Sequence, residues 1–238
     1  MTKFYRKHLI LIILSVFILL SEKTFAQQNI IKAPNSEVLP EGTVILKETS
    51  FASLHDDVKL TPSLIMGLGH GMDLSVGVPV SIGYSNANAT VSGDIGLKKV
   101  FFIGPTTRFT LGASISPYLN QSVTPNTFAY AHLTQRIKQT KSSFTVGTYV
   151  NGEKHFLNTT GVLLGFEQVI IPNKLRLACD WMSGDNNKSN FAVGLKYRPQ
   201  PTLSITTAVV IPNTNTDRLG FQLSLSKFIQ FDKEERSL

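Results

Sequence analysis

The 238-residue chain has one cysteine, Cys179, one tryptophan, Trp181, and only 16% charged residues. A lone thiol forms neither an internal disulfide nor a thiolate metal cluster, so a disulfide scaffold and a cysteine-built zinc site are both excluded. The chain also lacks the charge density of a disordered polyelectrolyte, since 42% of its residues are apolar and its charged share lies below the roughly 25% usual for soluble domains. No apolar stretch reaches the ~20 residues that a bilayer-spanning helix needs. The longest, residues 9–20, has twelve residues and is apolar apart from Ser15. From Gln27 onward no window carries a 3.6-residue period.

Residues 1–26 read as a cleaved secretory signal peptide. Lys3, Arg6 and Lys7 precede the apolar run, and Thr24 and Ala26 stand at the −3 and −1 places of a cleavage point. No cysteine follows the run, which excludes a lipoprotein anchor. Without this segment 19 basic and 15 acidic residues remain, a charge of +4 in place of +7. Much of the basic character is therefore a targeting signal, and no nucleic-acid partner is expected.

The mature chain shows a repeated period of two. In residues 72–84, Met72, Leu74, Val76, Val78, Val80, Ile82 and Tyr84 share one face, and Asp73, Ser75, Gly77, Pro79, Ser81 and Gly83 the other. Near the C-terminus Leu219, Phe221, Leu223 and Leu225 alternate with Gly220, Gln222, Ser224 and Ser226. Twelve such segments are expected, near 43–52, 58–68, 72–84, 90–101, 107–118, 127–137, 142–151, 160–170, 174–183, 189–197, 202–211 and 217–228; the first, fourth and sixth alternate poorly, so ten to fourteen strands fit. Connections alternate between long polar loops and tight turns such as Gly69-His70-Gly71 and Pro172-Asn173. That asymmetry is the mark of an up-and-down transmembrane barrel with its short turns on the periplasmic side.

A secreted β-sandwich also alternates, but its solvent face would carry more Lys, Glu and Asp than the Gly, Ser and Thr found here. In hydrocarbon every strand edge must be paired, so the sheet has to close. The predicted fold is all-β, a closed antiparallel transmembrane barrel over residues 43–228, with residues 27–42 and 229–238 as periplasmic segments. Tyr84, Tyr118 and Trp181 near the long loops, and Phe101, Phe102, Phe109, Tyr197 and Phe228 near the short turns, are expected to form two interfacial girdles.

Arg218, Gly220, Leu223 and Leu225 resemble the C-terminal β-signal of outer-membrane proteins, although the chain continues past the strand to Leu238. That resemblance implies the barrel-assembly machinery as a partner, outer-membrane lipid as the surrounding medium, and the bacterial outer membrane as the location. As a whole the chain resembles the small bacterial outer-membrane β-barrels. Val38-Leu39-Pro40-Glu41-Gly42 and the glycine rhythm of residues 67–80 are similar to transporter barrels of the phenol meta-pathway type, a likeness that implies no particular substrate.

Outer-membrane phospholipases use a His two residues before a Ser nucleophile. None of the five histidines meets that pattern; His132 with Thr134 is the nearest approach. His55, Asp56 and Asp57 could hold a divalent cation, but three polar residues in a loop are more often simply solvated. No metal, cofactor or nucleotide motif is present, and no enzyme is expected. Asp73, Lys98, Arg108, Arg136, Glu167, Arg176 and Lys196 are expected to point into the lumen, five cations against two anions. A confined ring of that sign favours anions. The same charges could instead cross-link the wall, Asp73 with Lys98 and Glu167 with Arg176. Two functions follow: a passive channel for small anionic or weakly polar solutes, with those residues setting selectivity, or a non-conducting structural barrel working through its surface loops.

Overall fold

A computed structural model describes residues 29–54, 57–84, 89–121, 124–152, 160–214 and 219–231. The regular elements among them are all strands: β1 (Thr43–Ser53), β2 (Asp57–Gly69), β3 (Met72–Gly77), β4 (Val80–Gly83), β5 (Ala89–Val91), β6 (Asp94–Phe102), β7 (Thr107–Ser116), β8 (Asn126–Ile137), β9 (Ser142–Gly152), β10 (Thr160–Ile171), β11 (Leu175–Met182), β12 (Asn190–Gln200), β13 (Leu203–Pro212) and β14 (Gly220–Gln230). All pairings are antiparallel: β2 with β3 and β4, β3 with β6, β4 with β5, each strand from β6 to β13 with the next, and β1 with both β2 and β14, from Thr43↔Gln230 to Ser53↔Gly220. The sheet is therefore a closed ring.

The fourteen strands make twelve staves, because β3 with β4 and β5 with β6 are each one stave interrupted once. The first interruption is chemical. Pro79 has no N–H to give the ladder, and Pro62 opposite lacks one too; Val78 N–H reaches Pro62 O at 3.0 Å, and Ser92 N–H reaches Pro79 O at 2.9 Å. The staves match the twelve segments expected from the alternation to within a few residues. The last runs to Gln230 rather than to 228.

Exposure follows the period of two around the ring. On the outer face Leu97 is 51% exposed and Val146 55%, whereas on the inner face Asp73 and Ser224 are each 2% exposed. The apolar belt faces outward, as a hydrocarbon solvent requires, and the small and charged residues face the axis. Three aromatics depart from the expected girdles. Phe102, at the end of β6, pairs with Arg108 on the inward phase, with the guanidinium 5.1 Å from its ring. Phe228 is inward and buried with Leu39, Ile45 and Ile65, because it shares the parity of Gln222, Ser224 and Ser226. Tyr118 shares the parity of Arg108 and Thr110, and its hydroxyl accepts a hydrogen bond from Asn126 Nδ2 at 3.1 Å on the inside. In all three cases strand phase overrides nearness to a strand end.

The larger correction concerns the N-terminal segment, expected to lie in the periplasm. Residues 30, 31, 33–36 and 39 are buried, and this stretch threads into the barrel from the short-turn end. Two glycines make the passage possible. A Cβ on Gly67 would lie 2.2 Å from Pro40 O, and one on Gly165 would lie 2.1 Å from Ile30 Cδ1. Ala178, Ala192 and Ala208 continue the shallow wall against which Ile30 and Ile31 pack.

The lipid-facing assignment is testable. Leu97→Arg, near mid-stave on the outer face, should lower the unfolding free energy in phospholipid by about 2–4 kcal/mol, the cost of a cation at the midplane. Denaturant titration of the refolded barrel measures this, and a change within 0.5 kcal/mol, about that of an ordinary surface substitution, would remove Leu97 from the lipid face.

Candidate functional site

The segment inside the barrel is a plug whose tip is a tight turn. Ile30 N–H donates to Ala33 O at 2.9 Å, and Asn29 bridges Pro34. Asp180 on β11 holds this turn with one oxygen. Its Oδ2 accepts the N–H groups of Ile31 at 2.6 Å, Lys32 at 2.9 Å and Ala33 at 3.0 Å. Hydrogen bonds to a charged acceptor contribute roughly 1.5–3 kcal/mol each, so this buried carboxylate is the strongest polar clamp on the tip. Lys196 on β12 adds another by donating to Asn29 O at 2.7 Å.

Lower in the lumen Glu37 is a hub. Its Oε1 lies 3.3 Å from Arg136 Nη2 on β8 and 3.3 Å from Arg176 Nη1 on β11. Its backbone carbonyl accepts from Lys98 Nζ on β6. Ser36 reaches the hydroxyls of Thr110 at 2.7 Å and Thr134 at 2.8 Å, while its carbonyl accepts from Arg108 Nη1 at 2.9 Å. Asp73 Oδ1 accepts from Leu39 N–H at 3.0 Å, and Asp73 Oδ2 lies 3.2 Å from Lys98 Nζ.

Six of the seven charged residues expected in the lumen thus touch the plug directly: Asp73, Lys98, Arg108, Arg136, Arg176 and Lys196. The seventh, Glu167, reaches it through Lys196, whose Nζ lies 2.7 Å from Glu167 Oε1. The expected Asp73–Lys98 cross-link is present; Glu167 with Arg176 is not an ion pair. The β10–β11 register sets Arg176 opposite Val169 and Glu167 opposite Ala178, and Arg176 turns to Glu37 instead.

Four members of this belt escape the sequence reading: Glu37, Asp180, Lys47 on β1, which feels Lys98 and Lys196, and Arg198 on β12, which feels Arg176 and Glu37. Asp180 carried a usable signal, for it lies four residues from Arg176 and so on the same face. Glu37 carried none, because it lies outside every alternating segment. With these included, seven cations meet four carboxylates, and the local excess stays at three.

His132 is buried on the inner face, stacked on Tyr130 with ring centroids 5.7 Å apart. Its Nδ1 is 3.5 Å from Thr134 Oγ1, a hydroxyl already engaged with Ser36 and Thr145. His55 and Asp56 lie outside the described residues, as do the signal peptide, the tail beyond Phe231 and Arg218. Gly220 opens β14, from which Leu223 and Leu225 point outward.

The plug divides the interior. Toward the long loops a cavity of about 770 Å³ is lined by Lys32, Phe51, Lys59, Phe128, Asn151 and Lys188 among others. Toward the short turns a cavity of about 290 Å³ is lined by Glu37, Arg136, Glu167 and Arg176. The two share no lining residue.

A closed ring with an apolar exterior and charged interior decides the comparison with solved structures. The chain has the fold of the outer-membrane porins. A KdgM porin superposes with a TM-score of 0.57 at 11% identity, over 79% of this chain and 99% of its own. A KdgM porin in complex with disordered oligogalacturonate gives 0.56 at 10%, over 80% and 99%. The NanC porin gives 0.52 at 9%, over 79% and 100%. No protein-family model matches the chain, and no curated protein matches it in sequence.

In this porin-type barrel, removing the clamp carboxylate should loosen the tip. Asp180→Ala is expected to speed hydrogen–deuterium exchange of the Ile31–Ala33 amides at least tenfold, equivalent to about 1.4 kcal/mol, with the barrel still intact. Exchange at the wild-type rate would mean that Asp180 does not hold the plug.

Proposed function

We propose that this protein is a passive channel of the bacterial outer membrane for small anionic or weakly polar solutes, with residues 29–42 as a plug that shifts to let solute pass. The observation that carries this reading is the belt of Lys98, Arg108, Arg136, Arg176 and Lys196 around the lumen, bound in large part to plug atoms. When the plug leaves, Glu37 leaves with it. The five cations, with Lys47 and Arg198, then face Asp73, Glu167 and Asp180, an excess of four in a narrow passage. Low-dielectric walls focus such a field and raise the local anion concentration. Porin neighbours of the same fold, one of them in complex with an anionic oligogalacturonate, support a channel over a catalyst.

Delivery to that membrane follows from the remaining features. The leader would direct export, and Arg218, Gly220, Leu223 and Leu225 would engage the barrel-assembly machinery from the closing strand. The outer belt would then sit in lipid.

The test is conductance. A mature protein lacking residues 29–41, reconstituted in planar bilayers, should pass an ohmic, anion-preferring current several times that of the full chain. Arg108→Glu with Arg136→Glu in the same background should move the reversal potential toward cation preference. Faster gel migration of unheated than of boiled protein checks that each variant is a closed barrel. A plug-less barrel that is closed but silent would overturn the channel and favour the structural reading, in which the loops over 119–126 and 151–159 work at the surface.

A further inference from the structure

The long-loop cavity gathers charged side chains around the plug tip. Three lysines from three separate parts of the chain line it: Lys32 at the plug tip, Lys59 on β2, and Lys188 in the connection between β11 and β12. Lys32 Nζ rests 4.4 Å from the Phe51 ring centroid, and Lys188 Nζ lies 5.4 Å from that of Phe128. The ammonium groups of Lys32 and Lys188 thus sit on aromatic faces, which stabilise a cation without neutralising it. The charges acting on Lys32 are those of Lys59, Lys188 and Lys47, opposed by Asp180. The Oδ2 atom of Asp180 is already turned to three backbone N–H groups.

Carboxylates also line this cavity, on its walls. Asp94 accepts from Ser116 Oγ at 2.7 Å and Asp185 from Thr214 Oγ1 at 2.7 Å, while Asp57 sits at the start of β2. Asn126, Asn151 and Asn190 add amide groups to the lining. None of these three carboxylates is among the charges that act on Lys32, so the field at the plug tip is set by the lysines and Asp180.

We propose that Lys32, Lys59 and Lys188 form a binding site for a small multivalent organic anion, such as a di- or tricarboxylate, and that its occupancy holds the plug in place. The direction follows from linkage. With the plug seated an anion meets three ammonium groups; with the plug withdrawn Lys32 is gone and two remain. The anion binds the seated state more tightly, and by reciprocity stabilises that state by the same factor. It also relieves the repulsion among three lysines that the seated plug otherwise bears. Anion in the outer cavity would tighten the seal rather than open it. The physiological meaning rests on the channel reading; the site and its coupling to the plug do not.

Citrate is the probe, titrated by calorimetry into the refolded mature barrel, with sodium chloride at matched ionic strength as control. Citrate should bind the wild type. Lys59→Met with Lys188→Met, and separately Lys32→Met, should each weaken it at least tenfold. Saturating citrate should slow amide exchange at Ile31–Ala33 several-fold in the wild type, leave it unchanged in Lys32→Met, and not be matched by chloride. Unaltered citrate affinity in the triple lysine variant would overturn the site. Equal slowing by chloride would reduce it to screening, and faster exchange with citrate would overturn the coupling. A silent plug-less barrel removes the channel but leaves these outcomes standing.

Discussion

A backbone in hydrocarbon has nowhere to place an unpaired N–H or C=O except on another strand, and each failure costs several kcal/mol as a rough figure. The pairing of β1 with both β2 and β14 meets that demand by abolishing sheet edges. Closure then creates an interior, and the interior must be filled with something. Water can fill it, or protein can. Here a stretch of the chain's own N-terminus does so, satisfying wall charges that would otherwise need solvent.

The plug is held by two kinds of force acting at different heights. Ionic and charge-assisted contacts converge on Glu37 and Asp180, while Ile30, Ile31, Ala33 and Leu39 pack into three apolar clusters. Polar contacts are exchangeable with water at modest net cost. Apolar burial resists exchange, at roughly 25 cal/mol per Å² removed from water. The segment is therefore anchored by shape as well as by charge, and the small residues lining β10–β13 matter as much as the arginines. Gly165 and Gly67 leave room that no side chain would.

Much of this fold was legible because alternation with period two is dictated by the strand itself. It locates twelve staves and sets Asp73, Lys98, Arg108, Arg136, Glu167, Arg176 and Lys196 on the phase that faces the axis. It fails where another rule is allowed to outrank it. Phe102, Phe228 and Tyr118 lie near strand ends, where a girdle is expected, but their phase points them in. The partners of the lumen charges were beyond its reach, since phase says which way a side chain points but not what lies opposite. Residues 29–42 have no periodicity because they make no sheet. Nothing local in them records that their partners are Asp180 and Lys196, some 150 residues away.

That distance has a consequence for how the molecule is made. The turn at Ile31–Ala33 cannot be fixed until β11 exists to offer its carboxylate, and β1, directly joined to the plug, cannot complete the ring until β14 arrives. A segment that precedes every strand in the chain is thus among the last to find its place. Filling the interior and sealing the cylinder therefore both wait on the C-terminal strands.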